Sequence, residues 1–378
     1  MNQEIRYKIA ALHKTPAKIC LVVTGASAGC QQLITSVPGA SGTLLESRLP
    51  YDRVALSRFM KRPEKVYPVT EETALDMAAR AWRNARGIIL SQEGDPEQAF
   101  GVAVTGVIDA GRAQRGELRL HMAVRGSNDF LVANVMFGKD ADNRSVLGRE
   151  REGELSDLMA LNLILLASGL DQIAFPNDHL SGNLADMGGA GSILAPFRVL
   201  PTVTSTEVDP NRHVLFDGSF NPWHHGHENI ADEVELRTGK KVVYVITDSH
   251  PNKGPVLPEE LSARVGQFCR LAPVLVTKGL KLYVDKAEAH PGFSRVIGAD
   301  SLCRLLDPVY GVPASEVLQR LRDSGAHFFV ADRPHGADAA TFEEVSRQIP
   351  PMFLDMFTRL GTVIDASSTA ARAAAKKS

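Results

Sequence analysis

Residues 213–227 read HVLFDGSFNPWHHGH, and the fold of the second half of the chain turns on how this stretch is parsed. His213 to Phe216 is a short apolar strand, Gly218 opens a turn, and a helical pattern from Glu228 to Thr238 is stopped by Gly239. A strand that passes through a glycine turn into a helix aims backbone N–H groups, and the positive end of the helix dipole, at an anion. Gly218 is expected to let a phosphate approach the backbone, and His224 and His227, on either side of Gly226, can both direct imidazole N–H donors at one phosphate. The bland alternatives are a surface histidine cluster or part of a metal site. A metal site needs a third protein ligand, and the surrounding sequence offers none.

Outward from this turn, Val242 to Ile246 is a buried strand rich in β-branched residues, and Pro258 suits the first turn of a helix over Glu259 to Leu271. Further strands are expected at Val274–Val276, Arg295–Ile297 and His327–Val330, with helices between them. Repeated strand–helix units predict a doubly wound parallel sheet with ligands at the carboxyl ends of its strands. At the far end an apolar strand, Thr362 to Ile364, leads into Asp365-Ala366-Ser367-Ser368-Thr369-Ala370-Ala371-Arg372 and a last helix. Hydroxyls and amides at that helix start, with Arg372 one turn on, make a second anion site; a plain Ser/Thr helix cap is the alternative.

The first half has its own alternation. A helix to Leu12, a strand over Ile19–Val23 and a small-residue turn from Thr24 to Gly29 come first. A helix over Glu71–Arg86 capped by Thr70, strands at Phe100–Val104 and Leu118–Val124, and a helix over Glu152–Ser168 follow. From about Asp171 the pattern breaks into glycines and prolines until Asn211. The expected organisation is therefore a first domain over residues 1–172, a connector over 173–211 and a second domain over 212–378, both domains of the α/β class.

Composition limits the function. In 378 residues, 42 Lys and Arg stand against 44 Asp and Glu, for a net charge of -2. Such balance gives no long-range field for polyanions and argues against a nucleic-acid partner. Four cysteines without short paired spacing suit a reducing compartment rather than a disulfide framework or a zinc knuckle. The sequence shows neither a signal-peptide pattern nor a membrane-length apolar run, so a cytoplasmic protein with no membrane partner is expected.

Gly218-Ser219-Phe220-Asn221-Pro222-Trp223-His224-His225-Gly226-His227 resembles the GSFNPxHxGH signature of nucleotidyltransferases related to nicotinamide mononucleotide adenylyltransferase, and Ser367 to Arg372 resembles their SSTxxR signature. Val296 to Leu302 is similar to that family's GxD nucleoside-binding turn, Ala331 to Gly336 to its arginine-bearing late turn, and Asn252-Lys253 through Arg264 to the segment after its second strand. The resemblance implies a Rossmann-like domain that transfers the AMP moiety of ATP to a mononucleotide phosphate, chiefly nicotinamide mononucleotide, and releases pyrophosphate. It assigns His224, His227 and Lys253 to catalysis, and Gly218, Ser219, Phe220, Asn221, Gly226, Gly298, Asp300, Arg333, Ser368, Thr369 and Arg372 to nucleotide binding. Magnesium would enter on the substrate phosphates, as that ion prefers, with no metal site made by the protein alone. The partners implied are small-molecule nucleotides, with a homo-oligomer left open. Trp223 replaces the second proline common in this turn, and Trp223, Tyr244 and Phe293 are the aromatic candidates for stacking on a nicotinamide ring. Phosphopantetheine or a phosphorylated alcohol as acceptor, CTP as donor, and a non-catalytic nucleotide-binding protein are the other readings.

In the first half, Val37-Pro38-Gly39-Ala40-Ser41 with Tyr51 is similar to the VPGxS…Y segment of CinA-like domains, some of which hydrolyse the amide of nicotinamide mononucleotide. Thr24 to Gly29 sits where that family has a Ser/Thr-Gly-Gly turn, Val104-Thr105-Gly106 matches its VTG, and Arg144 to Arg151 its arginine-bearing segment. The family's lysine five residues after the tyrosine is Leu56 here, and Arg53 can replace its charge but not its role as proton acceptor. The expectation is a CinA-like domain that is catalytically degenerate.

Overall fold

The computed structural model describes residues 1–62, 65–127, 129–174, 179–182, 194–196, 201–250, 254–307, 313–334 and 339–363. The chain divides into two units, Met1–Arg198 and Val199–Ser378. Each is built on its own sheet.

The strands of the first unit are β1 (Lys18–Thr24), β2 (Leu44–Arg48), β3 (Ala99–Val107), β4 (Leu118–Arg125), β5 (Asp129–Phe137), β6 (Leu180–Gly182) and β7 (Leu194–Pro196). They run in the order β2-β1-β3-β4-β5-β6, with β7 also paired to β5. Pairing is parallel about β1 and antiparallel from β3 onward, so this sheet is mixed. Helices α1 (Gln3–Leu12), α2 (Cys30–Thr35), α3 (Arg53–Phe59), α4 (Glu71–Ser91) and α5 (Arg149–Ala167) complete the unit. Residues of α1, α2 and α5 share one core with Ile19, Leu21, Val102, Val104 and Met122 from the sheet.

Across the sheet lies α4, started as expected by Thr70, whose hydroxyl accepts from the Thr73 N–H at 3.3 Å. Its small-residue face (Ala74, Ala78, Ala81, Ala85) lets it press onto β3, where a Cβ at Gly101 would come within 2.1 Å of both the Ala78 carbonyl oxygen and the Trp82 nitrogen. The turn after β1 is closed from within. Ser27 donates from its hydroxyl to the Ser156 carbonyl at 2.8 Å, and Gly29 N–H donates to the Asp157 carboxylate at 2.9 Å. Asp157 thus sits at the start of α2, and burial raises its pKa to about 6 against the pull of the Gly29 and Cys30 amides.

In the second unit the strands are β8 (Thr202–Val203), β9 (His213–Asp217), β10 (Lys241–Thr247), β13 (Val274–Thr277), β14 (Ser294–Gly298), β15 (His327–Asp332) and β16 (Phe357–Val363), with β11 (Ser249–His250) and β12 (Gly254–Pro255) forming a separate small hairpin. The main order is β16-β15-β14-β9-β10-β13-β8, and every pairing is parallel. Helices α6 (His225–Thr238), α7 (Pro258–Gly266), α8 (Tyr283–Ala289), α9 (Ala299–Leu305), α10 (Ala314–Asp323) and α11 (Phe342–Ser346) connect the strands. The chain begins this sheet's central pairings at β9, which has β10 on one side and β14 on the other, so strand order reverses between β9 and β14. This is the doubly wound, Rossmann-like arrangement, and it places the 218–227 turn at the reversal.

Two local readings differ from the structure. The helix expected to Leu271 ends at Gly266, because Gln267 turns its side chain to the backbone of Phe220 and Trp223 and Arg270 takes a left-handed φ of 61°. The last strand begins at Phe357, well before Thr362. Within the stretch read as a connector, Leu180–Gly182 and Leu194–Pro196 pair with β5, and Thr202–Val203 pairs with β13. At the opposite edge of the second sheet, Glu233 of α6 accepts the Gly361 and Thr362 N–H groups at 2.8 and 2.7 Å.

Two outcomes are expected. Gly101→Ala forces helix and sheet apart and loses about 3 kcal/mol of stability, measurable by urea unfolding of the purified chain. Because the folded-state pKa of Asp157 is raised, the folded form holds the proton more tightly than the unfolded one, so this residue's contribution to stability falls as pH rises from about 4 to about 6. Asp157→Asn lacks that fall, and its melting temperature, compared with wild type at pH 4 and pH 7, rises relative to wild type at the higher pH.

Candidate functional site

The described site is built around the carboxyl end of β9. Phe216, the buried Phe220, Tyr244 and Phe268 pack edge-on, tilted or, for Phe216 on Tyr244, stacked, with ring centroids 4.5–5.5 Å apart, and Trp223 lies 4.6 Å from Phe268. Phe220 reaches this cluster with a left-handed φ of 43°. Its ring covers Gly218, where a Cβ would lie 2.6 Å from the Phe220 ring carbons. Glycine is therefore required at 218 by the Phe220 ring, and that side of its backbone is not open to a phosphate as the sequence suggested. Gln267 locks the loop: its carbonyl oxygen accepts the Trp223 N–H and its amide donates to the Phe220 carbonyl, both at 2.9 Å. The same packing corrects the stacking candidates. Trp223, Tyr244 and Phe293 are all buried in the unit, consumed by its core.

This rigid loop delivers His224 to the N-cap of α6 and His227 to its third position. The His224 N–H donates to His227 Nδ1 at 3.2 Å, and the His227 N–H donates to the His224 carbonyl at 3.0 Å. An Nδ1 that accepts carries no proton, so in this arrangement the His227 ring proton sits on Nε2. The two imidazoles lie close, with centroids 3.7 Å apart and their planes tilted by 30°. Gly226 between them is buried, Ser219 is exposed, and the Asn221 amide donates to Glu260 at 2.9 Å.

On the neighbouring strands, Gly298 ends β14 as the N-cap of α9 and pairs in register with Ala331 of β15. Asp300 is in the first turn of α9, 3.1 Å from Arg304 and 3.8 Å from Arg333, so Asp300 and Arg333 are brought together at adjacent strand ends. Lys253, Ser368, Thr369 and Arg372 lie outside the described residues. The strand before the last three ends at Val363, at the same sheet edge as the β9 turn because all strands point one way.

A group that the motif reading passed over lies under the turn. Asp217, the last residue of β9, receives Arg295 Nη1 at 2.6 Å and Lys286 Nζ at 3.1 Å, with side-chain exposures of 1% for Asp217 and Arg295 and 10% for Lys286. Burial pushes the Asp217 carboxyl up, but Arg295 and Lys286 outweigh it and hold it below the usual carboxylate range. An acid closing an apolar strand, and an arginine inside Ser294-Arg295-Val296-Ile297, were the sequence signals available. Among the described residues no cluster of three or more His, Cys, Asp or Glu could hold a metal.

In the first unit Ser41 is exposed in the 40–42 turn, and the Lys18 amine donates to the neighbouring Gly42 carbonyl. Leu56 is buried on α3, so the position of the missing lysine faces the core. The amides of the 24–29 turn are engaged by Ser156 and Asp157.

Solved structures similar to the chain over its N-terminal part include the competence/damage-inducible protein CihA of Agrobacterium tumefaciens, at 17% identity over 46% of this chain and 98% of that one, TM-score 0.35. A CinA-superfamily protein of Enterobacter cloacae is similar at 13% identity over 43% and 90%, TM-score 0.32. No curated protein matches the chain, and no described helix is long and apolar enough to cross a membrane. Residues 215–372 match the cytidylyltransferase-like family, so the second unit carries a cytidylyltransferase-like domain, which supports nucleotidyl transfer as its general activity.

Proposed function

We propose that the second unit transfers the AMP moiety of ATP to the phosphate of a mononucleotide, with nicotinamide mononucleotide as acceptor. The observation that carries this reading is the close His224–His227 pair at the positive end of α6, at the carboxyl end of β9, with the His227 proton on Nε2. An acceptor phosphate oxygen attacks the α-phosphorus in line, the bond to the bridging oxygen of pyrophosphate breaks, and pyrophosphate leaves with its electrons. Such transfer needs alignment and charge stabilisation, not a covalent nucleophile. In this role the Nε2–H of His227 and the first-turn amides of α6 bind oxygens whose negative charge grows on the α-phosphoryl group. Gly298, Asp300 and Arg333 take the nucleoside side, Lys253, Ser368, Thr369 and Arg372 the outer phosphates, and magnesium arrives on those phosphates.

A second reading has its own support. With Trp223, Tyr244 and Phe293 buried, none of them is placed to stack on a nicotinamide ring. This favours another phosphorylated acceptor, or CTP as donor, over the same chemistry. For the first unit we propose no amidase turnover, since Ser41 lacks the lysine and Leu56 occupies its place in the core.

The test is pyrophosphate release by the full chain with ATP or CTP against a panel of acceptors. Release with ATP and nicotinamide mononucleotide supports the first reading, and release only with other pairs replaces it by the second. His227→Ala is expected to lower kcat by about 100-fold, the ~3 kcal/mol typical of a lost transition-state donor, with a smaller change in KM.

A further inference from the structure

The buried group under the turn is unbalanced. One carboxylate, Asp217, faces two cations, Lys286 and Arg295, which leaves one positive charge in surplus. No second carboxylate pairs with either cation among the described residues: Arg295 otherwise donates to the Lys286 carbonyl at 2.7 Å, and Lys286 otherwise lies 5.2 Å over the Tyr283 ring. His290, whose ring meets the Lys286 carbonyl and Ser205, is pushed by burial toward its neutral form and adds no charge.

Burying a charge without its counter-charge is unfavourable, and a neutral Asp217–Arg295 pair would hold β9 to β14 without Lys286. Lys286 is the partner of Asp217 Oδ1, a place that a neutral donor would also fill, so folding alone gives no reason for a second full charge there. Its position does. Asp217 is the residue immediately before Gly218, and Arg295 reaches it from the neighbouring strand across the point where strand order reverses. The surplus charge lies beneath the turn that carries His224 and His227. Low exposure leaves it little screened by water or salt.

We propose that Lys286 supplies a fixed, buried positive charge that draws a polyphosphate to the β9 turn without touching it, making it a positioning residue for the anion rather than a strut of the fold. The inference rests on the nucleotidyl-transfer reading for its biological use, but it is tested on binding alone.

The experiment measures binding of inorganic tripolyphosphate and of ATP to the full chain by calorimetry, alongside melting temperature and pyrophosphate release. Lys286→Met removes the surplus together with the partner of Asp217 Oδ1, so it is expected to lower the melting temperature while weakening tripolyphosphate about tenfold, and Lys286→Gln, which keeps a neutral donor there, to weaken it equally with a smaller loss of melting temperature. Lys286→Arg retains the charge and is expected to bind within about threefold of wild type. Asp217→Asn supplies a test of opposite sign: it increases the surplus, so it lowers the melting temperature yet tightens tripolyphosphate. Unchanged binding in Lys286→Met, or weaker binding in Asp217→Asn, overturns the proposal. A chain that binds tripolyphosphate in this charge-dependent order but releases no pyrophosphate with any acceptor overturns the transfer reading and leaves this one standing. A Lys286→Met chain that binds tripolyphosphate as wild type does and still releases pyrophosphate overturns this one and leaves transfer standing.

Discussion

The second unit depends on a constraint of direction. Its main strands are all parallel, so every loop that follows a strand emerges at the same edge, and residues far apart in sequence are collected there without any specific contact between them. The 218–227 turn, the Gly298–Asp300 turn and Arg333 share that edge for this reason alone. What the local sequence adds is aim. Phe220 folds back over Gly218, Gln267 fastens the loop, and α6 starts with His224 at its N-cap and His227 in its first turn.

How far this could be read beforehand follows from the range of the forces involved. The β-branched run Val242–Ile246, the stop at Gly239 and the Thr70 cap are set by neighbours in sequence, and each lies where a local reading puts it. The histidine turn was legible because its residue types and spacing are rare together. Other features depend on partners that no local pattern discloses. The pairing of Leu180–Gly182 and Leu194–Pro196 with β5, the left-handed Phe220 and the meeting of Asp217 with Lys286 and Arg295 require the folded chain. The same limit explains the aromatic residues: composition marks Trp223 and Tyr244 as able to stack on a ring, but only packing shows that Phe268 already takes that place.

The two units treat a similar motif in opposite ways. Each has a strand that opens into a glycine-bearing turn and a helix. In the first, Asp157 and Ser156 engage the turn's amides, placing a carboxylate where an anionic ligand would otherwise sit. In the second, the helix start bears imidazoles, and a cation lies below. Sequence similarity to an anion-binding turn thus says little until the charge that faces it is known.

Glu233 has a consequence beyond joining α6 to the last strand. An outermost strand normally offers a ladder of vacant amides on which a neighbouring molecule can add its own strand, the first step toward fibrous assembly. By claiming two successive amides of β16, one carboxylate on a helix, itself paired with Arg237, occupies part of that template. At this border the cover against pairing with a second copy therefore comes from a helix, through a side chain that no strand contains.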